Sequence, residues 1–225
     1  MVNLRNLISD PALEIPPSPQ RIEDYLQELK ESSSAFVDIG FFDSAGVQIA
    51  YAGPHPSLLN RDYSTENWYR MLQTRQDQFI ITDIYLGFRK EPHFTIAVIH
   101  EIDDENVIMR ATLDPRKIYE YISSIQVAED VRTLIINEDG TFQLITPGDE
   151  NIIRDSEVVP PREPEFGVVT AEYDSRRITY GYFWLRNADW ALMAQGTGSG
   201  ISILAGIDPA LLLVSLAIIG IIVVV

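Results

Sequence analysis

The feature that most restricts how this chain can fold is a strand–turn–strand unit that occurs twice. The stretch AFVDIGFFDSAGVQIAYAG, starting at Ala35, is two apolar runs joined by Asp43-Ser44-Ala45-Gly46. The stretch TLIINEDGTFQLIT, starting at Thr133, has the same form around Asn137-Glu138-Asp139-Gly140. Asp43 aligns with Asn137 and Gly46 with Gly140. A short side-chain oxygen at the first turn position closes the turn, and glycine at the fourth supplies positive φ. Each unit is followed by a longer hairpin. PHFTIAVIHEI turns at Asp103-Asp104-Glu105-Asn106 into VIMRATL, and ITYGYFWL turns at Arg186-Asn187-Ala188-Asp189 into WALMAQ. The same order of elements twice over predicts a tandem duplication.

Helical spacing fills in the rest. Pro19 to Ser32 predicts an amphipathic helix with Ile22, Tyr25, Leu26 and Leu29 on one face, after a break at Pro16–Pro19. Val2–Leu7 reads as the end of a helix that began earlier. Ser64 or Thr65 can cap a short helix with Trp68, Met71 and Leu72 on one side, and QFIITDIYLG follows as a strand. The first half thus reads strand, strand, helix, strand, strand, strand: an antiparallel sheet with a helix across one face, of α+β class. Pro115–Ala128 is a connecting helix with Ile118, Tyr121, Ile122 and Ile125 facing inward. The second half is shorter, with a covering loop rich in proline and charge from Pro147 to Pro164.

Composition excludes several functions. Seventeen basic against 33 acidic side chains give a net charge of −16, which repels nucleic acid and anionic lipid. With no cysteine and only His55, His93 and His100, thiolate sites are excluded and no metal or cofactor is expected. There is no GxGxxG after a strand, Walker A pattern, HExxH or GxSxG. Gly196-Thr197-Gly198-Ser199-Gly200 lacks a lysine and precedes an apolar span, so it reads as a linker. Asp103 and Asp104 sit at a turn, where solvated charge is ordinary. The chain itself is expected not to be catalytic.

The C-terminus is the second strong signal. From Ile201 the chain reads ISILAGIDPALLLVSLAIIGIIVVV, with Asp208 its only charge. The residues after Pro209 alone span about 24 Å as a helix, against a hydrocarbon core of about 30 Å. Together with Ile201–Ile207 they predict a membrane helix, cut at Val225. The N-terminus has no charged segment followed by an apolar one, so it is no signal peptide. A lost upstream membrane segment and a tail-anchored cytosolic protein both remain open on composition.

The stretch AYAGPHPSLLNRDYSTENWYRMLQTRQDQFIITDIYLGFRKEPHFTIAVI resembles the membrane-distal half of a double Cache sensor domain, in particular those of bacterial and archaeal sensor histidine kinases. The residues that carry the resemblance are Tyr63 leading to Trp68-Tyr69, Thr82 to Gly87, Arg89 to Phe94 with Pro92-His93-Phe94, and Met109 to Asp114. It covers about Phe36 to Gln195. The resemblance implies two PAS-like lobes outside the cytoplasmic membrane, held between two membrane helices in a homodimer. On this reading residues 1–34 are the remnant of an N-terminal helix with a second helix, 35–128 the distal lobe and 129–195 the proximal lobe. Residues 196–200 are then a linker and 201–225 the membrane helix.

In such domains the distal lobe is a cup for a small molecule. Tyr63, Trp68 and Tyr69 offer aromatic walls with polar tips. Tyr85 lies nearby, His93, Thr95 and Ala97 share one strand face, and Arg110 can hold a carboxylate through two hydrogen bonds. Plainer roles are open for each: Trp68 as core, Arg110 bridging Asp83 or Glu101, His93 as a structural hydrogen-bonder, His55 as a loop residue. Amino-acid-sensing relatives carry an arginine two positions before the tryptophan and an aspartate late in the last distal strand. Here those positions read as Glu66 and Ala111, so an amino acid held by that motif is not expected. The ligand stays open between a small organic acid held by Arg110, Tyr63 or Tyr69 and none at all. The output implied is a histidine kinase, with a chemoreceptor or diguanylate cyclase as alternatives. A different class also fits, a membrane-anchored scaffold that binds a protein through its strand edges.

Overall fold

The computed structural model describes residues 4–10, 12–75, 78–102, 105–124, 131–145, 155–173 and 176–196. The membrane helix expected over 201–225, the linker beyond Gly196 and the end of the connecting helix lie outside the described residues. Among those described, no helix is long and apolar enough to cross a membrane. The chain divides into two compact units between Lys117 and Ile118.

In the first unit, helices α1 (Leu4–Ile8) and α2 (Pro19–Ser32) bury the residues that their spacing selects. Ser18 caps α2 by accepting a hydrogen bond from the Arg21 amide at 3.2 Å, and Pro19 occupies the first helical position, where its missing N–H costs nothing. Ile22, Tyr25, Leu26 and Leu29 are all buried. Five antiparallel strands follow, β1 (Phe36–Phe42), β2 (Gln48–Ala52), β3 (Phe79–Ile81), β4 (Phe94–Ile102) and β5 (Glu105–Leu113), arranged β2-β1-β5-β4-β3. Helix α2 lies against β1 and β2, and α1 against β4 and β5. Tyr25 stacks on Phe41 at 6.5 Å, so the odd-numbered β1 residues face these helices. The even-numbered set, Asp38, Gly40 and Phe42, faces the other way, toward α3 (Asn67–Thr74).

Several local expectations needed adjustment here. Helix α3 starts at Asn67 behind Glu66, which makes no side-chain capping bond; the Ser64 amide is instead bound by Asp62 Oδ1 at 2.8 Å. Its buried side is Trp68, Tyr69 and Leu72, and Met71 is exposed. Only Phe79–Ile81 of the long strand expected from Gln78 to Gly87 is strand. Beyond Ile81 the regular ladder is interrupted, the Thr82 hydroxyl accepting from the Thr95 amide at 2.9 Å, and the edge is rejoined only by an isolated bridge between Tyr85 and His93. Glu105 and Asn106, expected in the turn, belong to β5 and pair with Ile102 and Glu101, while Asp103 and Asp104 lie outside the described residues. Helix α4 (Pro115–Ser124) buries Ile118 and Ile122.

The second unit repeats the order. Strands β6 (Val131–Asn137), β7 (Phe142–Ile145), β8 (Phe166–Tyr173), β9 (Arg176–Trp184) and β10 (Trp190–Gly196) lie β7-β6-β10-β9-β8. The two repeat turns match atom for atom. Gly46 and Gly140 both have φ of 86°, Asp43 Oδ1 accepts from the Val47 amide at 2.8 Å, and Asn137 Oδ1 from the Thr141 amide at 2.7 Å. Strand β8 had no expected counterpart. Its sequence FGVVTAEY alternates as an edge strand should, with Phe166 and Val168 turned outward. No helix covers this sheet as α3 covers the first, among the described residues. The segment 155–165 does so instead, with Trp184 Nε1 donating to the Pro161 carbonyl at 2.8 Å and Tyr182 Oη to that of Pro164 at 3.3 Å.

Candidate functional site

The site forms on the α3 side of the first sheet, around Arg110. In the β-ladder Arg110 stands opposite Gly40 on one neighbour and Ala97 on the other. Two small residues leave room for its long side chain to lie over the sheet. The guanidinium sits 4.7 Å from the Tyr63 ring centre, 5.0 Å from Phe42 and 5.3 Å from Trp68. It is fully buried, yet Nε, Nη1 and Nη2 all lack a hydrogen-bond acceptor. Burial pulls its pKa down, but the fields of Tyr63, Tyr85 and Asp38, with an approach of the Tyr63 hydroxyl that falls short of hydrogen-bond geometry, outweigh this and the net shift is upward, so it stays charged.

Arg110 is not alone in this. Tyr63 Oη, Trp68 Nε1, Thr112 Oγ1 and both amide atoms of Gln48 are also buried without a partner. Thr112 follows Arg110 on the same face of β5. Gln48 reaches in over Gly40, where an added Cβ would come within 2.5 Å of Nε2. Together with the three arginine nitrogens these make eight orphaned atoms, all on this one face of the first unit. Each ordinarily costs about 1–3 kcal/mol, and an unpaired buried charge more. Three cation–π contacts offset part of that cost but supply no acceptor for a single N–H.

Beside this cluster lies a second group whose polar atoms are already paired. Arg89 forks onto Asp38, with Nε to Oδ2 at 2.9 Å and Nη2 to Oδ1 at 2.5 Å, both side chains being buried. Tyr51 Oη donates to Asp38 Oδ2 at 3.3 Å. Arg89 Nη1 also lies 3.2 Å from His93 Nε2; arginine can only donate, so Nε2 accepts and Nδ1–H faces the Glu91 carbonyl at 2.8 Å. Burial, opposed by that carbonyl and reinforced by the charges of Arg89 and Arg110, pushes the His93 pKa down to about 4. The Tyr85 ring packs on His93 at 4.3 Å, and its hydroxyl lies 3.0 Å from Thr95 Oγ1. Burial raises its pKa.

The expected site residues therefore separate. Tyr63, Trp68 and Arg110 meet in one cluster with free polar atoms. Tyr85, His93 and Thr95 form the partnered group at its edge. Tyr69 stands behind Trp68, ring centres 5.8 Å apart, and its hydroxyl is taken by the Ser44 carbonyl at 2.9 Å. Arg110 bridges neither Asp83 nor Glu101; Glu101 pairs in the ladder with Asn106, away from Arg110. Ala111 corrects an assumption of register. Strand alternation turns it toward the N-terminal helices, so the residues of β5 that meet the site are Arg110 and Thr112.

Gln48, Thr112, Asp38, Arg89 and Phe42 were not anticipated from sequence. One signal was available: Asp38 interrupts the apolar strand FVDIGFF, and a carboxylate there must find a cation. Phe88 was missed too. It meets Tyr63 edge-on at 5.0 Å and carries Arg61 at 4.7 Å on its exposed side.

No family model matches the chain, and no curated protein does. Solved structures match over most of its length. The extracellular domain of rpHK1S-Z16, assigned as a histidine kinase, has TM-score 0.65 and 16% identity, over 85% of this chain and 82% of that one. The ligand-binding domain of the Pseudomonas aeruginosa PAO1 amino acid chemoreceptor PctB, in complex with L-Gln, gives 0.62 and 18% over 90% and 87%. That of the Pseudomonas fluorescens chemoreceptor CtaA, with L-isoleucine, gives 0.63 and 14% over 89% and 84%. The fold is that of extracellular ligand-binding domains of histidine kinases and chemoreceptors: tandem PAS-like lobes of the double Cache type.

Proposed function

We propose that this chain is the extracytoplasmic ligand-sensing module of a membrane-spanning receptor, with a small molecule bound under α3 in the first unit. The observation that carries the reading is the convergence of eight buried, unpartnered polar atoms on one aromatic-walled face. A structural core would pair them or replace them with apolar groups; a binding site leaves them for a ligand. The fold supports the same reading, since PctB and CtaA hold amino acids in domains of this fold. On this proposal residues 35–128 are the distal lobe, 129–195 the proximal one, and 201–225 the membrane helix that carries the signal inward in a homodimer. A histidine kinase is the output favoured by the likeness to rpHK1S-Z16, and a chemoreceptor the one favoured by PctB and CtaA. The chain performs no chemistry. It acts by binding one of two packings more tightly than the other, since equal affinity for both would shift nothing.

Thermal-shift screening of the purified protein against a metabolite library tests this. A saturable rise in Tm is expected, lost in Tyr63→Phe and retained in Tyr182→Phe. A broad library with no hit would remove the sensing role and leave a scaffold that binds through an edge such as β8, where Phe166 and Val168 are exposed.

A further inference from the structure

We infer that the ligand of this site is a small organic carboxylate that carries no ammonium group, gripped through its carboxylate by Arg110. This rests on the sensing role proposed above and narrows it to a chemical class.

The free groups define the partner. Arg110 presents three nitrogens with no acceptor, in a planar fork that matches the two oxygens of a carboxylate. The Trp68 indole nitrogen can only donate, and the Tyr63 and Thr112 hydroxyls and the Gln48 amide nitrogen add further donors. Gln48 Oε1 is the one orphaned atom that can only accept. A set so rich in donors asks for an acceptor-rich anion.

A ligand cation finds no free counter-charge in the buried cluster. Phe42, Tyr63 and Trp68 form the kind of aromatic enclosure that takes organic ammonium groups, but the chain's own guanidinium fills it. The buried carboxylate nearby, Asp38, is held by both prongs of Arg89 and by Tyr51. An α-ammonium beside Arg110 would be desolvated without a counter-charge. Glu66, at the head of α3, is only partly buried, though its charge reaches Tyr85, and it is the carboxylate that a zwitterion would have to use. The walls also argue for an organic body over a bare inorganic anion, since Ile80, Ala97 and Ile108 line the same cluster and offer no hydrogen bonds.

Isothermal titration of the purified chain tests this with matched pairs: propionate and alanine, succinate and aspartate, 4-methylpentanoate and leucine, together with phosphate and sulfate. At least one carboxylate is expected to bind saturably, and its α-amino counterpart about tenfold or more weakly. Arg110→Lys should weaken that binding about tenfold or more, because one ammonium cannot replace the fork. Arg110→Met should abolish it while the free protein melts at the same or a higher temperature, which separates lost recognition from lost folding. Glu66→Gln should leave it unchanged. An amino acid that binds more tightly than its deaminated partner, and loses affinity in Glu66→Gln, would overturn the inference and leave the sensing role standing. Binding of phosphate or sulfate alone would do the same, as would a saturable ligand of another class with none of these probes bound. No ligand of any class would overturn both.

Discussion

The two units set their five strands in one order and cover one face of the sheet by different means. In the first, α3 and the loop after β3 close over Arg110, Tyr63 and Trp68, and polar atoms are left buried and unpaired beneath them. In the second, the segment 155–165 closes over Tyr180, Tyr182 and Trp184, and the hydroxyl of Tyr182 and the indole N–H of Trp184 both reach carbonyls of that segment. The covering segments are held differently as well. Arg89 grips Asp38 in the interior, whereas Arg162 reaches Glu138 and Asp189 with all three side chains well exposed. One sheet has been closed for stability. The other has kept eight polar atoms unpaired, a cost that the proposed ligand would relieve.

The anchoring arginines give the largest expected contrast. Arg89→Met strands the buried Asp38 carboxylate and is expected to cost about 3–5 kcal/mol in urea unfolding. Arg162→Met removes exposed pairs and one cation–π contact over Trp184, and is expected to cost about 1 kcal/mol or less. Equal losses would break the distinction between the two closures.

Acid should act through the first unit, where all three histidines lie. His93 has a folded pKa of about 4 against 6.5 for a free histidine, so the unfolded chain binds more protons between those values. Its contribution is present above pH 6.5 and is lost as the pH falls toward 4, by up to about 3 kcal/mol. The groups around it are Arg89, Arg110, Asp38, Tyr85 and the Glu91 carbonyl. His93→Asn should flatten that limb of the stability–pH curve. An unchanged slope would show that His93 is not its source.

The tryptophans come next. Trp184→Phe loses a hydrogen bond along with packing and is expected to cost about 1–2 kcal/mol more than the packing alone; Trp68→Phe gives up an N–H with no partner and should cost less. Smallest of all is the tyrosine pair. Tyr182→Phe is expected to lose about 0.5–1 kcal/mol, and Tyr63→Phe nothing or a slight gain, read by chemical denaturation of the free protein. A clear loss at Tyr63 would mean that its hydroxyl is already in use.

How much of this was legible in the sequence follows the range of the interactions. The turns at Asp43–Gly46 and Asn137–Gly140 close through bonds between residues at most four apart, so residue type alone specified them. Helix α2 was legible for the same reason, its cap and its buried face both being set within one or two turns. Tyr63, Trp68 and Arg110 were named on chemistry and on likeness to Cache sensors, and the structure brings the three together. What local pattern did not reach was their partners. Strand β8 was passed over because it follows a long charged loop and its alternation is that of an edge.

Sequence by itself determined the period of the hairpin strands, the repeated turn and the charge and aromatic content of the first unit. Only the tertiary structure decided which groups are paired. Arg89 and Asp38 lie 51 positions apart, and nothing in either neighbourhood names the other. Gln48 enters the site because β2 folds back beside Gly40, and Arg110 lies in an aromatic enclosure because Gly40 and Ala97 flank it across two ladders. Whether a buried arginine is an ion pair or an empty hand depends on what the sheet places within 3 Å of it, and that distance is set by register between strands, which no single strand encodes.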